Sequence, residues 1–202
     1  MELPLRTLKL TLISIIVLLV FSGCAAHKGR AYLFPDDRGL KGMYHKEGTE
    51  EGVFENGSIR VAVRHTKASD YEGSPILKNL SDKKYVILSV GIENKSKLRA
   101  IYNPSMTVLT DDSMDYKKPL DYTDLYDAVI GDSALESGLS AMKGRFYDLA
   151  LTLQPGEKTT RLLIFEPLSE NAGKADLAMN DIYIGTDTVN LRFPFLLKSP
   201  GV

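Results

Sequence analysis

From Ser58 to Thr66, the apolar residues Ile59, Val61 and Val63 alternate with Arg60, Ala62 and Arg64. A period of two marks a strand with one wet face. Lys83 to Ser96 repeats the pattern with Val86, Leu88, Val90 and Ile92 on one face and Tyr85, Ile87 and Ser89 on the other. Both faces are apolar enough for a central strand. Ser105–Asp112, Thr159–Pro167, Asp181–Gly185 and Val189–Lys198 complete the predicted set. Pro194 has no amide to give to a ladder, so the last strand is expected at a sheet edge or with a bulge at that residue. Gln154 to Lys158 is turn chemistry, with Pro presetting one φ and Gly tolerating a positive one. Between Tyr116 and Leu151 the period changes. Leu135, Leu139, Met142 and Phe146 follow spacings of four, three and four, which align on one helix face. Asp132 or Ser133 can cap its start. Gly138 and Gly144 weaken it by about 1 kcal/mol each relative to Ala. Asp121–Asp132 suggests a shorter helix before it. No fixed-period repeat is present.

The predicted fold class is therefore mainly β: an antiparallel sandwich over residues 58–202, interrupted by a helical insertion at about 117–150. Ala25–Gly57 is rich in glycine and charge and has little periodicity. It reads as a tether, in which Tyr32, Leu33 and Phe34 are the residues able to dock on the domain. Ahead of it, Leu10–Phe21 carries no charge and follows Arg6 and Lys9. About 20 apolar residues are needed to cross a bilayer as a helix. This shorter run, followed by small residues, reads as a signal-peptide core within residues 1–23.

Ser22 and Gly23 stand directly before Cys24, the only cysteine of the chain. That order resembles the lipobox of bacterial lipoproteins, although Phe21 stands where Leu is usual. The resemblance implies cleavage between Gly23 and Cys24, and a diacylglycerol on the Cys24 sulfur. Each buried methylene contributes about 0.8 kcal/mol, so several long chains hold a protein on a membrane durably. Ala25 after the cysteine implies the outer membrane where the host has one. The folded part then has neither a thiol nor a disulfide and depends on its hydrophobic core. Residues 24–202 suffice for one.

A formal net charge of −1 argues against a nucleic-acid partner, which favours a basic face. His27, His45 and His65 are the only histidines, and nothing in their spacing assembles the three or four ligands of a zinc site. They are expected to be solvated. Asp111, Asp112 and Asp115 lack the spacing and glycine of a calcium loop and read as a solvated turn, as do Asp36, Asp37 and the run Asp121, Asp124, Asp127. No nucleophile elbow, phosphate loop or dinucleotide fingerprint occurs, so neither an enzyme nor a cofactor is expected. The N-glycosylation patterns at Asn56, Asn79 and Asn94 are chance matches beside a bacterial signal.

Three stretches bear a second resemblance: Tyr85–Tyr116, Leu153–Leu168 and Asp181–Phe195. Together they resemble the immunoglobulin-like domains of bacterial secreted and lipid-anchored proteins. The Cys…Trp…Cys signature of antibody domains is absent. The resemblance implies a sandwich without catalytic residues. The expected function is that of a non-catalytic membrane-anchored envelope lipoprotein, acting as a binding or assembly module for another envelope protein. Tyr116, Tyr122, Tyr126 and Tyr147, in or beside the insertion, are its candidate contacts, since tyrosine gives rigid contact area with a polar tip. The same four residues equally suit helices packing on a sheet. The alternative is a lipoprotein that binds a small ligand or metal and delivers it to a membrane transporter. It requires a concave pocket with converging polar groups.

Overall fold

The computed structural model describes residues 32–36, 43–45 and 49–198. In chain order it forms β1 (Tyr32–Pro35), β2 (Met43–His45), β3 (Glu51–Glu55), β4 (Ile59–His65), α1 (Pro75–Asp82), β5 (Val86–Asn94), β6 (Ala100–Tyr102), β7 (Thr107–Asp111), β8 (Tyr116–Lys117), α2 (Tyr122–Asp127), α3 (Ser133–Ala141), β9 (Leu151–Leu153), β10 (Lys158–Phe165), β11 (Lys174–Ile184) and β12 (Asp187–Lys198). Single 3-10 turns occupy Ala68–Tyr71 and Pro104–Met106.

Every strand pairing is antiparallel, and the strands form two sheets. One runs β10-β5-β4-β3-β2. It places β5 in the interior, as its two apolar faces require. The other runs β1-β12-β11, and the far side of β11 is shared by β6, which carries β9, and β7, which carries β8. Two features make that sharing possible. Pro104 cannot donate, and the Asn103 side chain accepts the Ser105 N–H at 3.1 Å, so the chain turns between β6 and β7. Opposite the break, β11 bulges between Met179 and Ile182. There Asp181 takes φ +54 and donates its N–H to Asn190 Oδ1 at 2.8 Å.

The period of two now has a partner. Val61 of β4, Leu88 and Val90 of β5 and Leu163 of β10 face Leu109, Leu177 and Phe193 of the other sheet in one buried core. Burying such a side chain contributes about 1.5–3 kcal/mol. The fold is mainly β, and an immunoglobulin-like sandwich fits it.

Several expectations are corrected. Three strands, β1, β2 and β3, lie in the stretch read as a tether. Leu33 and Val53 there are almost wholly buried, so the domain begins well before Ser58, and residues 24–31 lie outside the described part. Glycine and charge hid the strands, because a three- to five-residue strand shows too few alternations to register. A second helical segment, α1, was not anticipated. Pro75 begins it with a φ already suited to a first turn, and Ile76, Leu77 and Leu80 face inward. With Leu125 of α2 and Leu139 of α3, they cover Ile87 and Ile164 on the outer face of β5 and β10, forming a second core. The helix predicted from Leu135 onward forms, with Asp132 as its cap, accepting from the N–H groups of Ala134 and Leu135. It stops at Ala141, however. Gly144 has φ +79, and Phe146 lies beyond it in an extended segment bridged to Leu162. The last strand is not bulged at Pro194, and it has a strand on both sides only within Phe195–Lys198, where β1 pairs with it. It lies between β1 and β11, and its proline falls just past the end of β1, where the Pro194 carbonyl accepts the Asp36 N–H at 2.8 Å. The missing amide points to that same side, away from β11, so the ladder with β11 loses no bond.

Candidate functional site

Gly23, Cys24 and His27 lie outside the described residues. The four tyrosines do not form one surface. Tyr147 is only 1% exposed and sits in the sandwich core. Its hydroxyl donates to the Val90 carbonyl at 3.3 Å, and its ring meets that of Tyr102 edge-on at 5.2 Å. Burial pushes the Tyr147 and Tyr102 hydroxyls well above the ordinary tyrosine value. Tyr122 packs against the helical core and stacks on Phe146 with ring centres 6.5 Å apart. These two serve packing, and Tyr147 is corrected from contact residue to core residue. Tyr126 and Tyr116 remain exposed, Tyr116 at 66%.

The titratable groups singled out in the sequence have structural duties. His65 is buried at the end of β4, contrary to the expectation of a solvated side chain. Its Nδ1 accepts the Leu33 N–H at 3.1 Å, and its carbonyl accepts the Tyr32 hydroxyl at 2.7 Å. Asp111 is likewise buried rather than solvated. Its carboxylate accepts the N–H groups of Ser113 and Ser169 at 2.9 Å and that of Asp115 at 3.3 Å. Burial alone would raise its pKa, but these donors and the Ser169 hydroxyl outweigh it and hold the carboxyl below its ordinary value. Asp112 caps the Gly173 N–H at 3.0 Å. Asp121 accepts from Thr123 and Asp124 at the start of α2, and the Asp124 carboxylate returns the bond to the Asp121 N–H, a reciprocal cap. Among the described residues, no three His, Cys, Asp or Glu side chains converge on a common point.

A cleft of about 310 Å³ opens beside β7 and β11, lined by Thr110, Asp112, Tyr116, Lys174, Asp176 and Arg192. Its guanidinium is already engaged, because Arg192 grips Asp176 through two bonds of 3.2 and 2.7 Å.

A surface that sequence reasoning missed lies at one end of the second sheet. Ile101 of β6 stands directly opposite Tyr183 of β11, and both are exposed. Leu98, 55% exposed, lies against Gly185 in the adjoining turn. A Cβ on Gly185 would come 2.6 Å from Leu98 Cδ1, and Gly185 has φ +62, a conformation that favours glycine. Alternation placed Tyr183 in a strand, but it could not say that its face of the sheet would be left uncovered.

No family model matches the chain, and no curated protein matches it. Among solved structures, it is similar to the yjhA protein from Bacillus subtilis, at 16% identity over 74% of this chain and 97% of that one, with a TM-score of 0.43. It is also similar to a functionally unknown protein from Listeria monocytogenes EGD-e, at 16% identity over 84% of this chain and 89% of that one, with a TM-score of 0.37. Neither similarity carries an activity over to the chain.

Proposed function

We propose that this chain is a non-catalytic bacterial envelope lipoprotein, anchored through Cys24, whose immunoglobulin-like sandwich binds another envelope protein. The anchor rests on the sequence alone: the uncharged run Leu10–Phe21 and the order Ser22-Gly23-Cys24. The observation that carries the binding role is the exposed apolar patch of Leu98, Ile101 and Tyr183. Exposed apolar side chains that adjoin, with an aromatic among them, suit a protein contact. Tyr116 and Tyr126 are the two original candidates still open to a partner. The polar groups that chemistry would need support the non-catalytic reading, since His65 and Asp111 are spent on backbone amides.

The test has two arms, both in intact cells. Metabolic labelling with palmitate is expected to mark the protein and to fail in Cys24→Ala. A bare thiol on Cys24 removes the anchor. A photo-cross-linking residue at position 183 is expected to give one discrete adduct, lost when Ile101 is changed to Asp. No adduct at 183, or one indifferent to Ile101→Asp, removes the binding surface.

A further inference from the structure

β1 is held to the rest of the fold from two sides. On one side it pairs with β12, with Leu33 opposite Leu197. The Leu197 N–H bonds to the Gly173 carbonyl at 2.9 Å on the β11 side, so Leu33 and Leu197 form a non-hydrogen-bonded pair. The Leu33 N–H therefore points away from β12, and it ends on His65 Nδ1 at 3.1 Å in a buried setting. The Tyr32 ring lies 4.6 Å from the His65 ring, and the Tyr32 hydroxyl reaches the His65 carbonyl. Leu33 itself is a core residue, 1% exposed. One histidine thus ties an edge strand of one sheet to the end of β4 in the other.

An imidazole nitrogen can accept a hydrogen bond only while it carries no proton. Nδ1 accepts here, so the docked strand needs a neutral His65. A proton on Nδ1 would face the Leu33 N–H donor to donor, with no room to rehydrate. From these contacts we infer that His65 is an acid-sensitive latch on β1: protonation releases the strand, withdraws Leu33 from the core and uncovers the edge of β12. Among the described residues, the charged and titratable groups around it are Tyr32 from β1, Glu50 from the turn before β3, Arg64 beside it on β4, and Lys67 and Asp70 just beyond. Arg64 is paired with Asp70 at 2.7 Å and Lys67 with Glu50 at 3.0 Å. Burial pushes the Glu50 carboxyl up, but Lys67 and the Tyr32 hydroxyl bring it below its ordinary value, and the Arg64 guanidinium holds the Asp70 carboxyl below its own against the opposing effect of burial. They keep their charge through the range in which a histidine titrates. The latch does not depend on the lipid anchor.

The sign follows from linkage. Only the released form takes the proton at Nδ1, so release grows as pH falls. With a free histidine near 6.5, the opening equilibrium rises about tenfold between pH 7.5 and 5.5. Amide exchange of the full chain in detergent micelles, corrected for intrinsic rates, reads this directly. The protection factor of the Leu33 amide is expected to fall about tenfold across that range, while that of Val90, in the centre of the other sheet, stays level. His65→Asn keeps an acceptor near the Nδ1 position but cannot take a proton, so its Leu33 protection is expected to be independent of pH. A level Leu33 in the wild type, an equal fall at Val90, or a fall that persists in His65→Asn each overturns the latch. Imidazole nitrogen spectra at pH 7.5 supply a check that needs no variant. A proton on Nε2 with bare Nδ1 is expected, and a proton on Nδ1 overturns the inference.

Discussion

Asn94 ends β5 and is fully buried, and its side chain forms four hydrogen bonds. Its Nδ2 donates to the Leu98 carbonyl at 2.7 Å and to the Leu153 carbonyl at 3.0 Å. Its Oδ1 accepts from the Ser96 N–H at 3.0 Å and the Ser96 hydroxyl at 2.7 Å. One amide therefore joins the turn after β5 to β9, across the two sheets. Asn94→Ala deletes all four bonds. Ser96 and Leu98 lie near solvent and recover partners from water, at a net loss of about 0.5–1.5 kcal/mol per bond. The Leu153 carbonyl stays buried, and leaving it unpaired costs about 1–3 kcal/mol. The expected total is about 2.5–7.5 kcal/mol, a large share of a domain stability of about 5–15 kcal/mol. With a urea m-value near 2 kcal/mol/M, the midpoint should fall by about 1–4 M. Asn94→Asp has the same shape, yet at neutral pH it turns a carboxylate oxygen toward two carbonyl oxygens. It should be worse than alanine at pH 7 and should recover in part when acid restores a donor. Urea unfolding followed by circular dichroism at pH 7 and pH 4 measures both. A loss under 1 kcal/mol in Asn94→Ala, or a milder loss in Asn94→Asp than in Asn94→Ala at pH 7, would refute the assignment of this side chain as the tie between the sheets.

Two further outcomes are expected. The Asp111 pKa is lowered in the folded state, so its contribution is present above the ordinary carboxylate value near 3.9 and is lost as pH falls through the lowered value. The stability gap between wild type and Asp111→Asn should be constant from pH 7 to about 5 and close below about pH 4; urea midpoints across that series measure it, and a gap that stays open at low pH would refute it. Tyr147→Ala empties a buried aromatic site and should cost about 3–5 kcal/mol, whereas the exposed Tyr126→Ala should stay within about 0.5 kcal/mol. Equal thermal shifts for the two would contradict their placement.

Much of the β framework was legible in the sequence. β4 and β5 alternate over seven and nine residues, long enough for one face to declare itself. The cap of α3 was equally plain, because an N-cap acts on amides two and three residues away. The anchor proposed at Cys24 rests on equally local sequence, twelve uncharged residues and the three that follow them. The strands β1 to β3 and the helix α1 were not legible. Each is short, and each is stabilised by what covers it: β12 and His65 for β1, and the outer face of β5 and β10 for α1. The tyrosines show the same division. Their number and crowding near the insertion are properties of the sequence, but whether Tyr147 meets a partner or fills the core depends on Val90, 57 residues away. By itself, then, the sequence determined local periodicity and the cap of α3, because those depend on neighbours within a turn or a pleat. The tertiary structure alone decided which faces are covered, which polar groups are consumed and that Leu98, Ile101 and Tyr183 stay exposed, because burial is a property of chain segments brought together from far apart.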